Sequence, residues 1–111
     1  MRVEIRDRGI EPTESIRDHA ERRLRFALGR FDDRIRVVRV SIGDLNGPHH
    51  GGVDKSCRLE VCIEASRDVH IETRHEDLYA AISDAADRAG RAVARSIRRD
   101  ARPASMRATS R

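Results

Sequence analysis

The sequence has no tryptophan and only three aromatic side chains, Phe26, Phe31 and Tyr79, in 111 residues. Modules that read single-stranded nucleic acid by stacking bases on a sheet need exposed aromatics on strands. None of the three falls in a predicted strand, which counts against such a module. Lysine is nearly absent as well: Lys55 is the only one, so the positive charge rests on arginine. Arginine favours planar, bidentate phosphate contacts, a bias that genomic base composition also produces. No apolar run approaches the roughly 18 residues needed to span a bilayer, and the start MRVEIRDRGI has no hydrophobic region of the signal-peptide kind. The expectation is a cytosolic protein with no membrane partner.

Metal and catalytic chemistry are equally thin. His49, His50, Cys57, Cys62 and His70 invite a zinc site. Cys57 and Cys62 stand an odd number of residues apart on one predicted strand and so point to opposite faces of a sheet, where they cannot share a metal. Adjacent histidines in a loop, without a CxxC or HxxxH partner, are a weak ligand signal. Cys57 reads instead as a small core residue. Ser15, Ser41 and Ser83 lack the context of an activated nucleophile, and Glu60, Glu64 and Glu72 read as outward strand positions. No set of residues stands out as a catalytic site, so the expectation is a non-enzyme with no metal, no cofactor and no small-molecule substrate.

What the chain has in abundance is charge. The net +4 hides an asymmetry: residues 88–111 carry eight arginines against Asp100 alone, a local +7, which leaves −3 for residues 1–87. A polyanion responds to local charge. Most of it lies on a predicted second helix, Arg74 to Arg102. At about 100° per residue, Leu78, Ile82, Ala85, Ala89 and Val93 fall on one face of it. Arg88, Arg91, Arg95, Arg98, Arg99 and Arg102 gather on another. Asp84 and Asp87 each stand four residues before an arginine, Arg88 and Arg91, in the favourable acid-first order. Beyond that point the residues four places before Arg95, Arg99 and Arg102 are themselves arginines. The helix start suits Glu76 and Asp77, and its end suits cations, through the macrodipole. A face of clustered, unpaired arginines reads as a polyanion-binding surface.

A first helix is predicted from Glu14 to Leu28, with Thr13 as N-cap and Gly29 as C-cap. Ile16, Ala20, Leu24, Ala27, Leu28 and Phe31 recur at helical spacing. Its other face holds Arg22, Arg23, Arg25 and Arg30. Asp18 and Glu21 can pair with Arg22 and Arg25, so a solvated, ion-paired surface and a second polyanion contact both remain open. Phe26, among these arginines, is either a lone exposed apolar side chain or a contact for a base or ribose.

Strands are predicted over Met1–Arg6, Ile35–Ile42, Ser56–Ala65 and Val69–Thr73, each with an apolar face. Gly43 to Asp54, GDLNGPHHGGVD, reads as a loop without the spacing of a phosphate-binding one. The element order is βαβββα, in which the first helix is a crossover that lets strands one and two lie parallel while the rest is a meander. The predicted fold is α+β, two layers, with both helices packed on one face of a four-stranded sheet. Both arginine faces then point away from the sheet, side by side. At this length a single domain is expected, residues 1–102, able to bury roughly two thirds of its unfolded surface. A basic, disordered tail, PASMRATSR, follows over residues 103–111.

IRDHAERRL (Ile16 to Leu24), RHEDLYAAI (Arg74 to Ile82) and the spacing of Arg88, Arg91 and Arg95 resemble the ribosome hibernation-promoting factor family, also called ribosome-associated inhibitor or sigma-54 modulation protein. The resemblance covers about the first hundred residues. It implies a fold like that of double-stranded RNA-binding domains. It also implies binding to rRNA of the small ribosomal subunit, over the channel that mRNA and tRNA would occupy, so that idle ribosomes are silenced in starvation or stationary phase. By position, Arg88, Arg91 and Arg95 match the family's basic second-helix residues and Arg23 a basic first-helix residue. Asp77 and Tyr79 match its DxY element, where Tyr79 also suits a structural role. Phe26 departs from the family, whose members often have lysine there, and the Asn46 to Asp54 loop is longer than in short members. The resemblance implies a short form, monomeric when free, without the extra C-terminal domain that pairs ribosomes. Two further readings stay open: a protein-interaction module that modulates a transcription factor, and a free double-stranded RNA binder.

Overall fold

The computed structural model describes residues 1–44 and 53–100. Within them the chain forms β1 (Arg2–Asp7), α1 (Glu14–Leu28), β2 (Ile35–Asp44), β3 (Lys55–Ile63), β4 (Val69–His75) and α2 (Leu78–Asp100). The sheet order is β1-β2-β3-β4, with β1 parallel to β2 and the other pairs antiparallel. The crossover through α1 is what permits that parallel pair. The α+β, βαβββα architecture expected from the sequence is the one observed.

Alternation within the strands and 3.6-residue periodicity within the helices meet in one core. Ile16, Ala20, Leu24 and Leu28 of α1 and Leu78, Ile82, Ala85, Ala89 and Val93 of α2 pack on Val38, Val40, Ile42, Cys57, Leu59 and Val61 of the sheet. One extra residue, Arg36, bulges from β2 where the register moves from Ile35↔Ile63 to Val37↔Cys62. The bulge lets both Ile35 and Val38 face inward although they stand three apart. α1 begins at Thr13, whose Oγ1 accepts a hydrogen bond from the Ile16 amide at 3.3 Å. Gly29 follows as the cap, but in the right-handed region (φ −56°), and the chain runs on into a single 3-10 turn, Gly29–Phe31.

The second helix is shorter than the sequence pattern suggests. Arg74 and His75 belong to β4, paired with Ser56 and Lys55, and α2 starts only at Leu78. Ladder hydrogen bonds to β3 hold those two residues extended, and Asp77 then supplies the cap that a helix start needs. Its Oδ1 accepts from the Tyr79 amide at 3.1 Å, and its carbonyl accepts from the Ala81 amide at 3.0 Å. Glu76 and Asp77 therefore precede the helix. Thr73 Oγ1 donates to the Ala81 carbonyl at 2.7 Å, stitching β4 to the first turn of α2. Ala65, expected to end β3, lies instead in the turn with φ +60°. Gly43 and Asp44, expected in the loop, extend β2 opposite Ser56 and Lys55. The rest of that loop, residues 45–52 with His49 and His50, and Arg102 with the 103–111 tail lie outside the described residues. No helix among the described residues is long and apolar enough to cross a membrane.

Candidate nucleic-acid interface

Three contacts knit α1 to α2. His19 Nε2 lies 2.9 Å from Ser83 Oγ and 3.1 Å from the Tyr79 carbonyl. Arg23 Nη2 donates to Asp87 Oδ1 at 2.9 Å. Farther on, a Cβ on Gly90 would stand 3.1 Å from the Ala27 carbonyl, so the backbones approach closely there. The partners advance together along both helices, which therefore run parallel and share one outer surface.

That surface carries the arginines singled out from the sequence, and the structure divides them into two groups. Arg23, Arg25 and Arg88 are tied to acids. Arg23 bonds Asp87, Arg25 Nη2 meets Glu21 at 3.0 Å, and Arg88 Nε meets Asp84 at 3.2 Å. Arg22, Arg30, Arg91, Arg95, Arg98 and Arg99 are exposed, and none has an acid at ion-pair distance among the described residues. Arg30 instead lies over the Phe31 ring, its Cζ 4.6 Å from the centroid. The pairs Asp18–Arg22 and Asp87–Arg91 expected from i,i+4 spacing do not form. Asp87 turns toward the neighbouring helix, where Arg23 offers a part-buried partner. Arg23 is thus a seam residue as much as a surface one, a correction that neither helix's own sequence could signal, because the pairing joins residues 64 apart.

Asp77 and Tyr79 are brought together at the start of α2, and both have structural work there. Asp77 caps the helix. The Tyr79 ring packs edge-on against His19, centroids 5.0 Å apart, and remains 39% exposed. Asp84 is held between His75 and Arg88: a hydrogen bond with His75, at 3.1 Å, and the Arg88 guanidinium hold its carboxyl below the usual carboxylate range.

The open face of the sheet differs in kind. Its carboxylates Glu4, Glu60 and Glu72 are shared among Arg2, Arg6, Arg39, Arg58 and Arg74, so each of those arginines has an acid beside it although the face keeps a net positive charge. Arg39 lies 3.4 Å from Glu4 and 2.8 Å from Glu60, and Arg58 lies 2.7 Å from Glu72. The bond to Glu60 raises the Arg39 pKa, and the bond from Arg58 lowers that of Glu72. Unpartnered positive charge therefore concentrates on the helical layer.

The cysteines are on opposite faces, as their spacing requires. Cys57 is a core thiol whose pKa burial pushes up to about 12. Cys62 lies on the open face, where its Sγ, Glu60 and the turn residue Asp68 offer three ligand atoms within 4.8 Å of one another. Sequence reasoning missed this grouping, since Asp68 reaches it only through the β3–β4 turn. The Arg39 guanidinium already donates to both Cys62 Sγ, at 3.4 Å, and Glu60. Burial raises the thiol's pKa. A protonated thiol beside a fixed cation is a poor metal ligand.

The family model described as sigma 54 modulation protein / S30EA ribosomal protein matches residues 3–100. No curated protein matches the chain. Among solved structures, the N-terminal domain of Protein Y from Thermus thermophilus superposes with a TM-score of 0.71 at 29% identity, over 86% of this chain and 98% of that one. A ribosomal subunit interface protein from Coxiella burnetii superposes with a TM-score of 0.69 over 86% of this chain and 96% of that one. Its 12% identity makes it evidence for the fold alone.

Proposed function

Because the chain belongs to the sigma 54 modulation protein / S30EA ribosomal protein family, we propose that it is a non-catalytic, cytoplasmic ribosome hibernation factor, monomeric when free. It binds rRNA of the small subunit and so occludes the mRNA and tRNA channel of idle ribosomes. The observation that carries this reading is the run of exposed arginines on the helical layer, Arg22 on α1, Arg30 in the 3-10 turn that follows it, and Arg91, Arg95, Arg98 and Arg99 on α2, that no acid among the described residues neutralises. A phosphate backbone is the polyanion such a surface suits, because guanidinium groups bond phosphate oxygens in a fork and release counterions on binding. Contacts of this kind position a protein on RNA without reading bases, which is sufficient for a factor whose task is to fill a channel.

The test is the double variant Arg91→Glu/Arg95→Glu. Neither side chain has an acid partner among the described residues, so the fold should survive, as circular dichroism would record. Affinity for small ribosomal subunits should fall by on the order of 100-fold or more. Undiminished co-sedimentation of the double variant at moderate salt would overturn the assignment. Binding that resists both ribonuclease and these substitutions would point instead to a protein partner such as a transcription factor. Equal affinity for plain duplex RNA and for intact subunits would point to a free double-stranded RNA binder.

A further inference from the structure

One side chain on the arginine surface has no part in phosphate binding. Phe26 is 82% exposed, the most exposed large apolar side chain among the described residues. Isolated apolar side chains on a surface are common; the position of this one is what sets it apart. Arg22, Arg23 and Arg30 stand four and three residues before it and four after, within one helical turn on either side. The Arg23 guanidinium lies 5.7 Å from the ring centroid and is itself anchored to Asp87 of α2 at 2.9 Å. An acid on one helix thus holds a cation that backs an aromatic ring on the other. The ring is steadied on one flank and open on the remainder.

We propose that Phe26 is a stacking platform for an unpaired RNA base, and that Arg22 and Arg30 take the phosphates on either side of that nucleotide. The inference rests on the RNA-binding reading above and goes beyond it: phosphate contacts alone are indifferent to whether the RNA is paired. Bases inside an A-form duplex are covered by their neighbours. A ring that meets a base face therefore needs a loop, a bulge or a splayed end. Stacking of this kind tolerates every base, because each has a π face, and a guanidinium on the far side of the ring adds to it. An apolar protein partner is the less fitting occupant, since burying Phe26 against it would also desolvate the arginines around the ring without pairing them. A second copy of the chain is disfavoured by repulsion between two such patches.

The experiment uses the full chain, with isolated small ribosomal subunits and their protein-free rRNA as probes. The sequence contains no tryptophan, so Phe26→Trp introduces a single indole reporter at the site. Phe26→Ala should weaken subunit binding about tenfold or more, the lower part of the range measured for one stacked base, with the slope of log affinity against log salt unchanged. Phe26→Trp should retain affinity, and its emission should be quenched by intact subunits and by protein-free rRNA alike. Phe26→Leu should behave like Phe26→Ala. Wild-type affinity in Phe26→Ala would overturn the proposal. Full rescue by Phe26→Leu, with no quenching of the tryptophan by protein-free rRNA, would also overturn it and assign the ring to an apolar protein surface. Failure of the wild-type chain to bind subunits would overturn the RNA-binding reading itself, a different result from wild-type binding that ignores position 26.

Discussion

At Gly43 the chain has no room for a side chain. A Cβ built there would stand 2.9 Å from the Arg8 carbonyl and 3.1 Å from Ser56 Oγ, because the segment leaving β1 stays hydrogen-bonded to β2, Arg8 amide to Ile42 carbonyl at 2.9 Å. The obstacle is backbone, which cannot rotate away. Gly43→Ala should cost about 1–3 kcal/mol, read as a lower urea midpoint at unchanged slope; an unshifted midpoint would show that the crossing relaxes freely. The arginines make the complementary point. Arg23 and Arg91 are alike as letters, and of the two only Arg91 has an acid at helical spacing, Asp87 four residues before it. Tertiary contact gives Asp87 to Arg23 and leaves Arg91 without an acid. No local rule decides that competition, since it depends on how close the two helices lie.

At the scale of elements, periodicity was enough to read α1 to the residue and to pick Leu78, Ile82, Ala85, Ala89 and Val93 for the buried stripe of α2, which Ala81, Ala86, Gly90 and Ser96 widen. It failed at the start of α2. Arg74, His75, Glu76 and Asp77 are as compatible with a helix as the residues that follow, and only the β3 ladder draws the first two into β4. That junction carries a charge cluster with a defined pH response. The folded-state pKa of Asp84 is depressed by its hydrogen bond with His75 and by Arg88. Its contribution to stability is therefore present above the ordinary carboxylate pKa of about 4 and is lost as pH falls through the lower folded value. Comparing wild type with Asp84→Asn by thermal unfolding should show a stability difference that is largest near neutrality and shrinks as pH falls below about 4. A difference that stayed constant across that range would mean the carboxylate's charge is not what holds β4 to α2.

For the whole molecule, the arrangement of charge is the functional feature. Both layers are rich in arginine, but the open sheet face spends its cations on Glu4, Glu60 and Glu72, whereas the helical layer leaves the six arginines of the proposed surface, and Arg17 besides, without acids among the described residues. If those six meet phosphates, log affinity for small subunits should fall with log salt with a slope of roughly −4 to −5. Replacing Arg39 or Arg58 on the sheet face by glutamine should leave that slope alone. A slope near zero, or one that sheet-face substitutions changed as much as Arg95→Gln does, would mean that the wrong side of the molecule had been chosen.

The sequence by itself determined the element order, the parallel pairing of β1 with β2 and the identity of the core. Each of these follows from local periodicity and from the length of a crossover, which neighbouring residues settle among themselves. It also placed the arginines on two helix faces turned away from the sheet. Only the tertiary structure decided which of those arginines are free, because Asp87 turns from Arg91 on its own helix to Arg23, 64 residues away across the seam. The same seam set Arg23 behind Phe26, so that an apolar side chain left open in sequence became a ring backed by an anchored cation.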